Sequence, residues 1–145
     1  DAPHADAFKA RLRELAAADP RVRLAGAIYG DGYRDLQRAA MAYVQATSVG
    51  GTHPALIEAM GAGNLVLAFD TPENREVVDG TGLLFSDEDQ LAAQLARVVA
   101  DPCSGDLVAL RVAARARVEA VYSWDAVTDA YVELFERLVR RRRIR

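Results

Sequence analysis

The spacing of hydrophobic residues predicts a helix and then a strand at the start of the chain. Between residues 6 and 18, apolar side chains such as Phe8 and Leu12 recur at helical spacing. The helix is expected to end before Pro20, because the residue that precedes a proline is disfavoured in the α region. Apolar residues then alternate with arginines over residues 21–27 (RVRLAGA), which predicts a short strand.

The middle of the chain predicts further strands separated by helices. A helix over residues 33–41 leads without a gap into an apolar segment at residues 42–46, which is typical of a buried strand. Residues 64–69 (NLVLAF) form a continuous apolar run of strand length, the pattern expected when both faces of a parallel sheet are covered. Residues 71–78 predict a turn with one helical turn, and residues 82–85 predict another short strand.

Three amphipathic helices are predicted to complete the chain. Ser86 is the expected cap of the first, with Gln90 four residues later and acidic residues in the first turn, where they suit the helix dipole. The others cover residues 107–122 and, capped by Ser123, residues 124–142. Helices that alternate with buried strands predict right-handed βαβ units and a parallel sheet, whose ligands bind at the carboxyl ends of the strands.

The composition fits one globular domain and excludes several classes of protein. The chain has 145 residues, of which 51% are hydrophobic and 27% charged, and it contains no apolar run of the roughly 18 residues that would span a bilayer. Its single cysteine, Cys103, excludes an internal disulfide, and no spacing of Cys and His predicts a zinc site. A net charge of -3 disfavours general nucleic-acid binding. We therefore expect a cytoplasmic protein without a metal.

The segment SVGGTHPALIEAMGAG, residues 48–63, carries the chemistry that points to a function. Gly50 and Gly51 have access to backbone angles that are closed to other residues, and no side chain covers their amides. Thr52 is the expected N-cap of the following helix, and Pro54 suits the first turn, where a missing N–H is harmless. A helix start of this kind predicts the binding of a phosphate or diphosphate.

Glu58 lies on the same predicted helix, off the apolar stripe that includes Leu56 and Met60. A carboxylate at this place has two oxygens that accept hydrogen bonds from the two hydroxyls of a sugar diol. The alternative is that the glycine pair forms a tight turn and that Glu58 is an ordinary surface glutamate, because a glycine-rich loop alone is a weak signal.

Four segments of the sequence together carry a resemblance to a known family: VRLAG (22–26), SVGGTHPALIEAMGAGNLVLAFDTPENREVV (48–78), GTGLLF (80–85) and YSW (122–124). They resemble the C-terminal, donor-binding domain of retaining glycosyltransferases of the GT-B architecture, and they are most similar to the bacterial rhamnosyltransferase branch. The resemblance implies an α/β fold, a Rossmann-like parallel sheet with helices on both faces, without the first two strands of that domain.

The resemblance also implies a role for each residue of the glycine-containing loop. Glu58 matches the second glutamate of the family's pattern, which holds the ribose of the nucleotide. Gly50 stands where a first glutamate contacts the transferred sugar, a departure that implies a different donor such as dTDP-rhamnose. Gly51, Thr52 and His53 are expected to line the sugar-diphosphate side. For His53 the expected role is hydrogen bonding or the structure of the helix start, with acid–base catalysis as the alternative.

Two further places are expected to approach the donor. Gly26, Ala27 and Ile28 follow the first predicted strand and match positions near the base of the nucleotide. Glu76, in the segment NREVV, matches a position that the family keeps near the donor. The alternative for Glu76 is a surface ion pair with Arg75 or with another arginine.

Three expectations concern the protein as a whole. Residues 1–145 are expected to be an N-terminally truncated donor-binding domain that lacks the acceptor-binding domain and the family's Arg and Lys pair, so that the isolated chain has no transferase activity. Unpaired edges of its sheet predict self-association. The arginines Arg140, Arg141, Arg142 and Arg143 predict peripheral contact with an anionic membrane surface. The alternative is a solvated helix end whose cations suit the dipole.

The leading hypothesis is a glycosyltransferase domain that binds a nucleotide-diphospho-sugar, without a metal or another cofactor, for transfer to a saccharide or lipid-linked acceptor in polysaccharide biosynthesis. One alternative is a non-catalytic nucleotide-sugar-binding or scaffolding domain of the same fold, which Gly50 favours. Another is a different nucleotide-sugar enzyme of the same architecture, such as an epimerase.

Overall fold

The chain forms two compact units, Asp1–Arg34 and Asp35–Arg145. A computed structural model describes residues 5–142, the last of these by its backbone alone. The first unit holds α1 (Asp6–Ala18), whose bounds agree with the prediction. The next helix, α2 (Gly30–Ala39), begins in the first unit and ends in the second.

The strand predicted over residues 21–27 is wrong, because these residues have no regular secondary structure. Asp19 pairs with Arg21 at 2.6 Å, and the N–H of Val22 donates to the carbonyl of Asp19 at 2.9 Å, so the backbone turns at this point. Val22 and Leu24 are 48% and 56% exposed. Alternating apolar residues stabilise a strand when they bury one of its faces against a neighbouring element. Val22 and Leu24 do not bury such a face.

The helix α2 starts at Gly30, earlier than the predicted residue 33. Its polar first turn carries an ion pair between Arg34 and Asp31, which lie one turn apart on the helix surface. Apolar periodicity begins only after that turn, and the sequence pattern therefore placed the start of the helix too late.

Within residues 35–142 of the second unit, three parallel strands form a sheet in the order β1-β2-β3. They are β1 (Ala42–Gln45), β2 (Leu65–Phe69) and β3 (Leu83–Phe85). The central strand β2 is almost wholly buried, as its continuous apolar run predicts. β1 is less buried than predicted, with Val44 36% exposed, because within the described residues this strand lies at the edge of the sheet and pairs with β2 only.

The remaining helices are α3 (Pro54–Gly61), α4 (Pro72–Val78), α5 (Glu88–Ala100), α6 (Gly105–Val121) and α7 (Trp124–Arg142). α4 is longer than the single predicted turn, since the hydroxyl of Thr71 caps it by accepting a hydrogen bond from the N–H of Asn74 at 3.2 Å. Asp87, and not Ser86, caps α5, where its carboxylate accepts a bond of 2.8 Å from a first-turn amide. Ser123 caps α7 as predicted.

Helices cover both faces of the sheet. On one face of β2, Val66 and Ala68 pack with buried residues of α3, α4 and α6. On the other face, Leu65 and Leu67 pack with residues of α5 and with the first part of α6. The alternation follows from the two-residue period of a strand. The predicted fold class, an α/β Rossmann-like parallel sheet between helices, is confirmed.

Candidate functional site

The candidate site lies at the carboxyl ends of the three strands. Because the strands are parallel, their carboxyl ends meet at one edge of the sheet. The connections that leave this edge are the β1–α3 loop (residues 46–53), the β2–α4 loop (residues 70–71) and the β3–α5 loop (residues 86–87). This is the edge at which open α/β sheets bind their ligands.

The start of α3 differs in one respect from the prediction. His53, and not Thr52, is the N-cap residue, with an extended backbone and no side-chain cap, while Pro54 occupies the first turn as expected. The amides of Leu56 and Ile57 both donate to the carbonyl of His53, at 3.0 and 3.3 Å. The first turn therefore has few amides left for an anion, and any diphosphate here depends mainly on amides of the loop itself.

Gly50 and His53 lie against each other within the β1–α3 loop. Gly50 has φ +141°, which side chains rarely adopt, and a Cβ at this position would meet Cε1 of His53 at 2.9 Å. The imidazole ring thus occupies the space where a side chain of residue 50 would lie. At Gly51, by contrast, a Cβ would meet nothing within 4 Å, so this part of the loop is open.

Glu58 is exposed on α3, while Leu56 and Met60 on the same helix are buried, as the apolar stripe predicts. Its carboxylate influences Tyr43 on the neighbouring strand β1. Burial raises the pKa of Tyr43 above its ordinary value of 10.0, and the negative charge of Glu58 adds to the rise. Tyr43 also packs against the core cluster that holds the buried residues of α3.

A row of hydrogen bonds runs along β1 into the β1–α3 loop. The hydroxyl of Tyr43 donates to Oε1 of Gln45 at 2.8 Å, and Nε2 of Gln45 donates to Oγ1 of Thr47 at 2.8 Å. Gln45 is only 7% exposed. We call this row the Tyr43–Gln45–Thr47 ladder. Sequence reasoning missed it, although a glutamine inside the apolar segment AYVQA is the one signal that marks it.

Asn74, the second site residue that sequence reasoning missed, joins two of the connections. It is 1% exposed, and its Nδ2 donates to the carbonyls of Phe69, at 2.9 Å, and Thr47, at 3.4 Å. Its Oδ1 is buried without a hydrogen-bond partner among the described residues. The Asn74 amide thus ties the end of β2 to the start of the β1–α3 loop.

The β2–α4 loop places a carboxylate and a guanidinium at the same edge. Asp70 follows β2 and pairs with Arg75 of α4, whose Nη2 lies 2.6 Å from Oδ2. These hydrogen bonds hold the pKa of Asp70 below its ordinary value of 3.8. Arg75 therefore does not form the ion pair with Glu76 that was the alternative for Glu76. The Glu76 side chain is exposed, and its carbonyl accepts a bond from Arg117 at 2.6 Å.

The remaining predictions concern residues of the first unit and of α7. Gly26, Ala27 and Ile28 belong to the first unit, in the irregular segment before α2, where Gly26 has a left-handed φ of +70°. Arg140 is exposed on α7 and pairs with Glu136 at 2.7 Å. Arg143 lies outside the described residues.

The described residues, 5–142, also bear on metal binding and on membranes. In this range, no three residues of the types His, Cys, Asp and Glu are arranged so that they could hold a metal ion. No helix in the same range is both long and apolar enough to span a bilayer.

Comparison with known proteins decides the family. A family model described as glycosyl transferases group 1 matches residues 2–101. The chain belongs to this family. Among solved structures, a sucrose-phosphate synthase from Thermosynechococcus elongatus is similar to it, with a TM-score of 0.75 and 27% sequence identity. No curated protein sequence matches.

The structural match covers 96% of this chain and 37% of the sucrose-phosphate synthase chain, so the chain spans little more than a third of that length. The family and the fold together confirm the coarser part of the predicted resemblance, a C-terminal domain of a GT-B glycosyltransferase. The rhamnosyltransferase branch and the roles of the individual site residues stay predictions.

Proposed function

We propose that the chain is the donor-binding domain of a glycosyltransferase, which binds a nucleotide-diphospho-sugar for transfer to a saccharide or lipid-linked acceptor. The observation that carries the proposal is the β1–α3 loop, which leaves the carboxyl edge of a parallel sheet, bends at Gly50 and Gly51, and enters the helix of Glu58. Membership of the glycosyl transferases group 1 family supports this class of substrate.

In this proposal the diphosphate lies against the amides of Gly51, Thr52 and His53. Gly51 has open space where a side chain would stand, which permits a close approach to its backbone. Glu58, exposed on α3, accepts hydrogen bonds from the ribose hydroxyls. His53 presents its ring beside Gly50, where its nitrogens donate or accept a hydrogen bond at the sugar-diphosphate. Glu76 near the donor completes this set, and the expected approach of Gly26, Ala27 and Ile28 to the base stays a prediction.

The protein's task in such a transfer is to stabilise the negative charge that develops on the leaving phosphate and to hold the acceptor hydroxyl in place. Neither task requires a metal or another cofactor in this proposal. A second domain supplies the acceptor, and we expect the 145-residue chain alone to bind the donor without transferring its sugar. Turnover of a dTDP-sugar by this chain would contradict that expectation.

The proposed donor is dTDP-rhamnose, supported by the resemblance of the loop to rhamnosyltransferases and by Gly50 in place of a carboxylate. A deoxysugar offers fewer hydroxyls than a hexose, so it has less use for a carboxylate there. The second candidate is a non-catalytic binding or scaffolding domain. Gly50 supports this candidate too, because a loop without a carboxylate to contact the sugar also suits a domain that has lost glycosyl transfer.

Calorimetric titration with dTDP, UDP and GDP tests the proposal. We expect the chain to prefer one of these nucleotides, which identifies the base. We expect Glu58→Ala to weaken the binding of that nucleotide about tenfold or more, because its charge-assisted hydrogen bonds are lost. Glu133→Ala, on α7, is the matched control and should leave binding unchanged. Absence of binding by all three nucleotides, or equal binding by the Glu58 variant, would reject the assignment.

Two contacts of the protein with other partners stay predictions. The arginines at positions 140–143 are proposed to attract an anionic membrane, and the edges of the sheet at β1 and β3 are proposed to pair with another copy. Sedimentation with anionic vesicles, with and without residues 140–145, tests the first. The dependence of molecular mass on concentration tests the second.

A further inference from the structure

The Tyr43–Gln45–Thr47 ladder links the two ends of the proposed nucleotide site. Tyr43 and Gln45 point to the same face of β1 because successive side chains of a strand alternate, and the loop continues this direction to Thr47. Tyr43 packs against the core cluster that contains residues of α3, and the partly buried Ile57 of that helix packs against the same cluster. One end of the ladder is therefore fixed next to the helix that carries Glu58.

Thr47 is held from a second direction by Asn74. Its carbonyl accepts a hydrogen bond from Nδ2 of Asn74, which also donates to the carbonyl of Phe69 at the end of β2. The backbone N–H of Asn74 is itself bound to the Thr71 hydroxyl. Thr47 thus joins the carboxyl ends of two neighbouring strands through its own side chain and its own carbonyl.

The amides that bind Thr47 belong to two buried side chains, which affects how firmly they position the loop. Gln45 and Asn74 are 7% and 1% exposed, whereas Thr47, which both of them contact, lies on the exposed loop. A buried amide left without its partner costs more than the bond itself contributed, and the loop would shift to satisfy it. The ladder is therefore able to define where the β1–α3 loop begins.

We propose that Thr47 is a positioning residue, which through Gln45 and Asn74 sets the start of the β1–α3 loop relative to the helix that carries Glu58. The inference rests on the proposed function, in which the loop holds the diphosphate and Glu58 holds the ribose. A nucleoside diphosphate needs both ends at the correct separation, whereas a nucleoside needs only the Glu58 end. The contribution of Thr47 is preorganisation, which affects the ligand that bridges both ends.

The test compares two variants of the full 145-residue chain with two ligands. Thr47→Val keeps the shape of the side chain but removes the acceptor for Gln45, and Thr47→Ser keeps the hydroxyl. The ligands are the nucleoside diphosphate, among dTDP, UDP and GDP, that binds the unmodified chain best, and its nucleoside. We expect Thr47→Val to weaken the diphosphate about tenfold and the nucleoside less than about twofold, while Thr47→Ser restores binding of the diphosphate.

The outcomes separate this inference from the proposed function. If the unmodified chain binds none of the three nucleotides, the proposed function fails and the inference fails with it. If it binds one of them but Thr47→Val binds equally well, or if both ligands weaken by the same factor, the positioning role is rejected and the proposed function stands. A loss with Thr47→Ser as large as that with Thr47→Val also rejects it, because the hydroxyl is then not what matters.

A milder variant keeps the test decisive if Thr47→Val does not fold. Tyr43→Phe removes only the hydroxyl that donates to Gln45, at the other end of the ladder. We expect a smaller effect of the same kind: the affinity for the diphosphate falls about threefold, and the affinity for the nucleoside does not change. Equal affinities of Tyr43→Phe and the unmodified chain for the diphosphate would overturn the inference.

Discussion

The imidazole of His53 lies against the α-carbon of Gly50, so close that a Cβ on residue 50 would come within 2.9 Å of Cε1 and 3.3 Å of Nε2. The backbone of Gly50 has φ +141°, a conformation open to glycine and strained for other residues. Glycine and histidine are therefore a matched pair in this loop. A carboxylate at position 50, which the family resemblance would place there, is incompatible with the histidine ring in its observed position.

Gly50→Ala tests this relationship. Because the new Cβ would both strain the backbone and displace the ring, we expect the free energy of unfolding to fall by about 1 kcal/mol or more and the His53 ring signals in NMR spectra to shift. Gly51→Ala is the matched control, since a Cβ at Gly51 would meet nothing within 4 Å. Equal stability of the two variants would show that His53 moves aside at little cost.

A second glycine is required by packing rather than by its backbone angles. At Gly82, just before β3, a Cβ would lie 2.5 Å from Cγ2 and 2.9 Å from the carbonyl oxygen of Val66 on the central strand. We expect Gly82→Ala to lower the free energy of unfolding by about 1–3 kcal/mol, the usual cost of overpacking a core, as measured by urea denaturation.

The control for Gly82 is Gly105, the first residue of α6. A Cβ at Gly105 would meet nothing within 4 Å, and its φ is not positive, so alanine fits the helix there. Gly105→Ala should be neutral or stabilise the chain by up to about 1 kcal/mol. A Gly82 variant as stable as the Gly105 variant would contradict the close approach of β3 to β2.

The guanidinium of Arg117 fastens the end of α4 to α6. It donates to the carbonyls of Val77 and Glu76, at 2.8 and 2.6 Å, and to the carboxylate of Asp79, at 2.7 Å. Its side chain is only 19% exposed. We expect Arg117→Ala to cost about 1–3 kcal/mol of unfolding free energy, because carbonyls at the end of α4 lose their donor. Arg117→Lys should recover only part of this, since an ammonium cannot reproduce the fork geometry.

Arg115, two residues earlier on the same helix, supplies the comparison. It forms an exposed ion pair with Glu119, four residues along α6, at 3.1 Å. Pairs of this kind contribute about 0.3–0.5 kcal/mol, so Arg115→Ala should scarcely change the denaturation midpoint. If the two alanine variants lose the same stability, Arg117 acts as an ordinary surface arginine.

The fold could be predicted where local pattern and burial agree. The run LVLAF is apolar at every position because β2 is covered on both faces, and its bounds differ from the prediction by one residue. The RVRLAGA segment shows the opposite case. Its alternation matches the pattern of a strand, but a strand also needs a neighbouring strand and a buried face. Val22 and Leu24 are exposed, and the local sequence does not show whether such a neighbour exists.

The candidate site divides in the same way. The places of Gly50, Gly51, Pro54 and Glu58 in the loop and at the start of α3 were predictable, because local chemistry favours these residue types there. Their roles in binding stay predictions. The place of Asn74 was not predictable, because its amide acts across residues far apart in the sequence, on the carbonyl of Thr47. Side chains that bind backbone carbonyls of another loop leave no periodic signal, and only the packed structure shows their partners.

The pairing of Asp70 with Arg75 predicts how the free energy of unfolding depends on pH in the acidic range. The pKa of Asp70 is held below 3.8, so in the folded chain this carboxylate releases its proton more readily than in the unfolded chain. Its stabilising effect is therefore complete above about pH 4 and is lost as the pH falls below 3.8 through the lower folded pKa. Arg75→Gln should raise the Asp70 titration midpoint in NMR spectra towards 3.8 and flatten this part of the stability profile. The control is Arg140→Gln, which removes an arginine of α7 and should leave the titration of Asp70 unchanged. If the Asp70 midpoint does not move in the Arg75 variant, its low pKa has another cause.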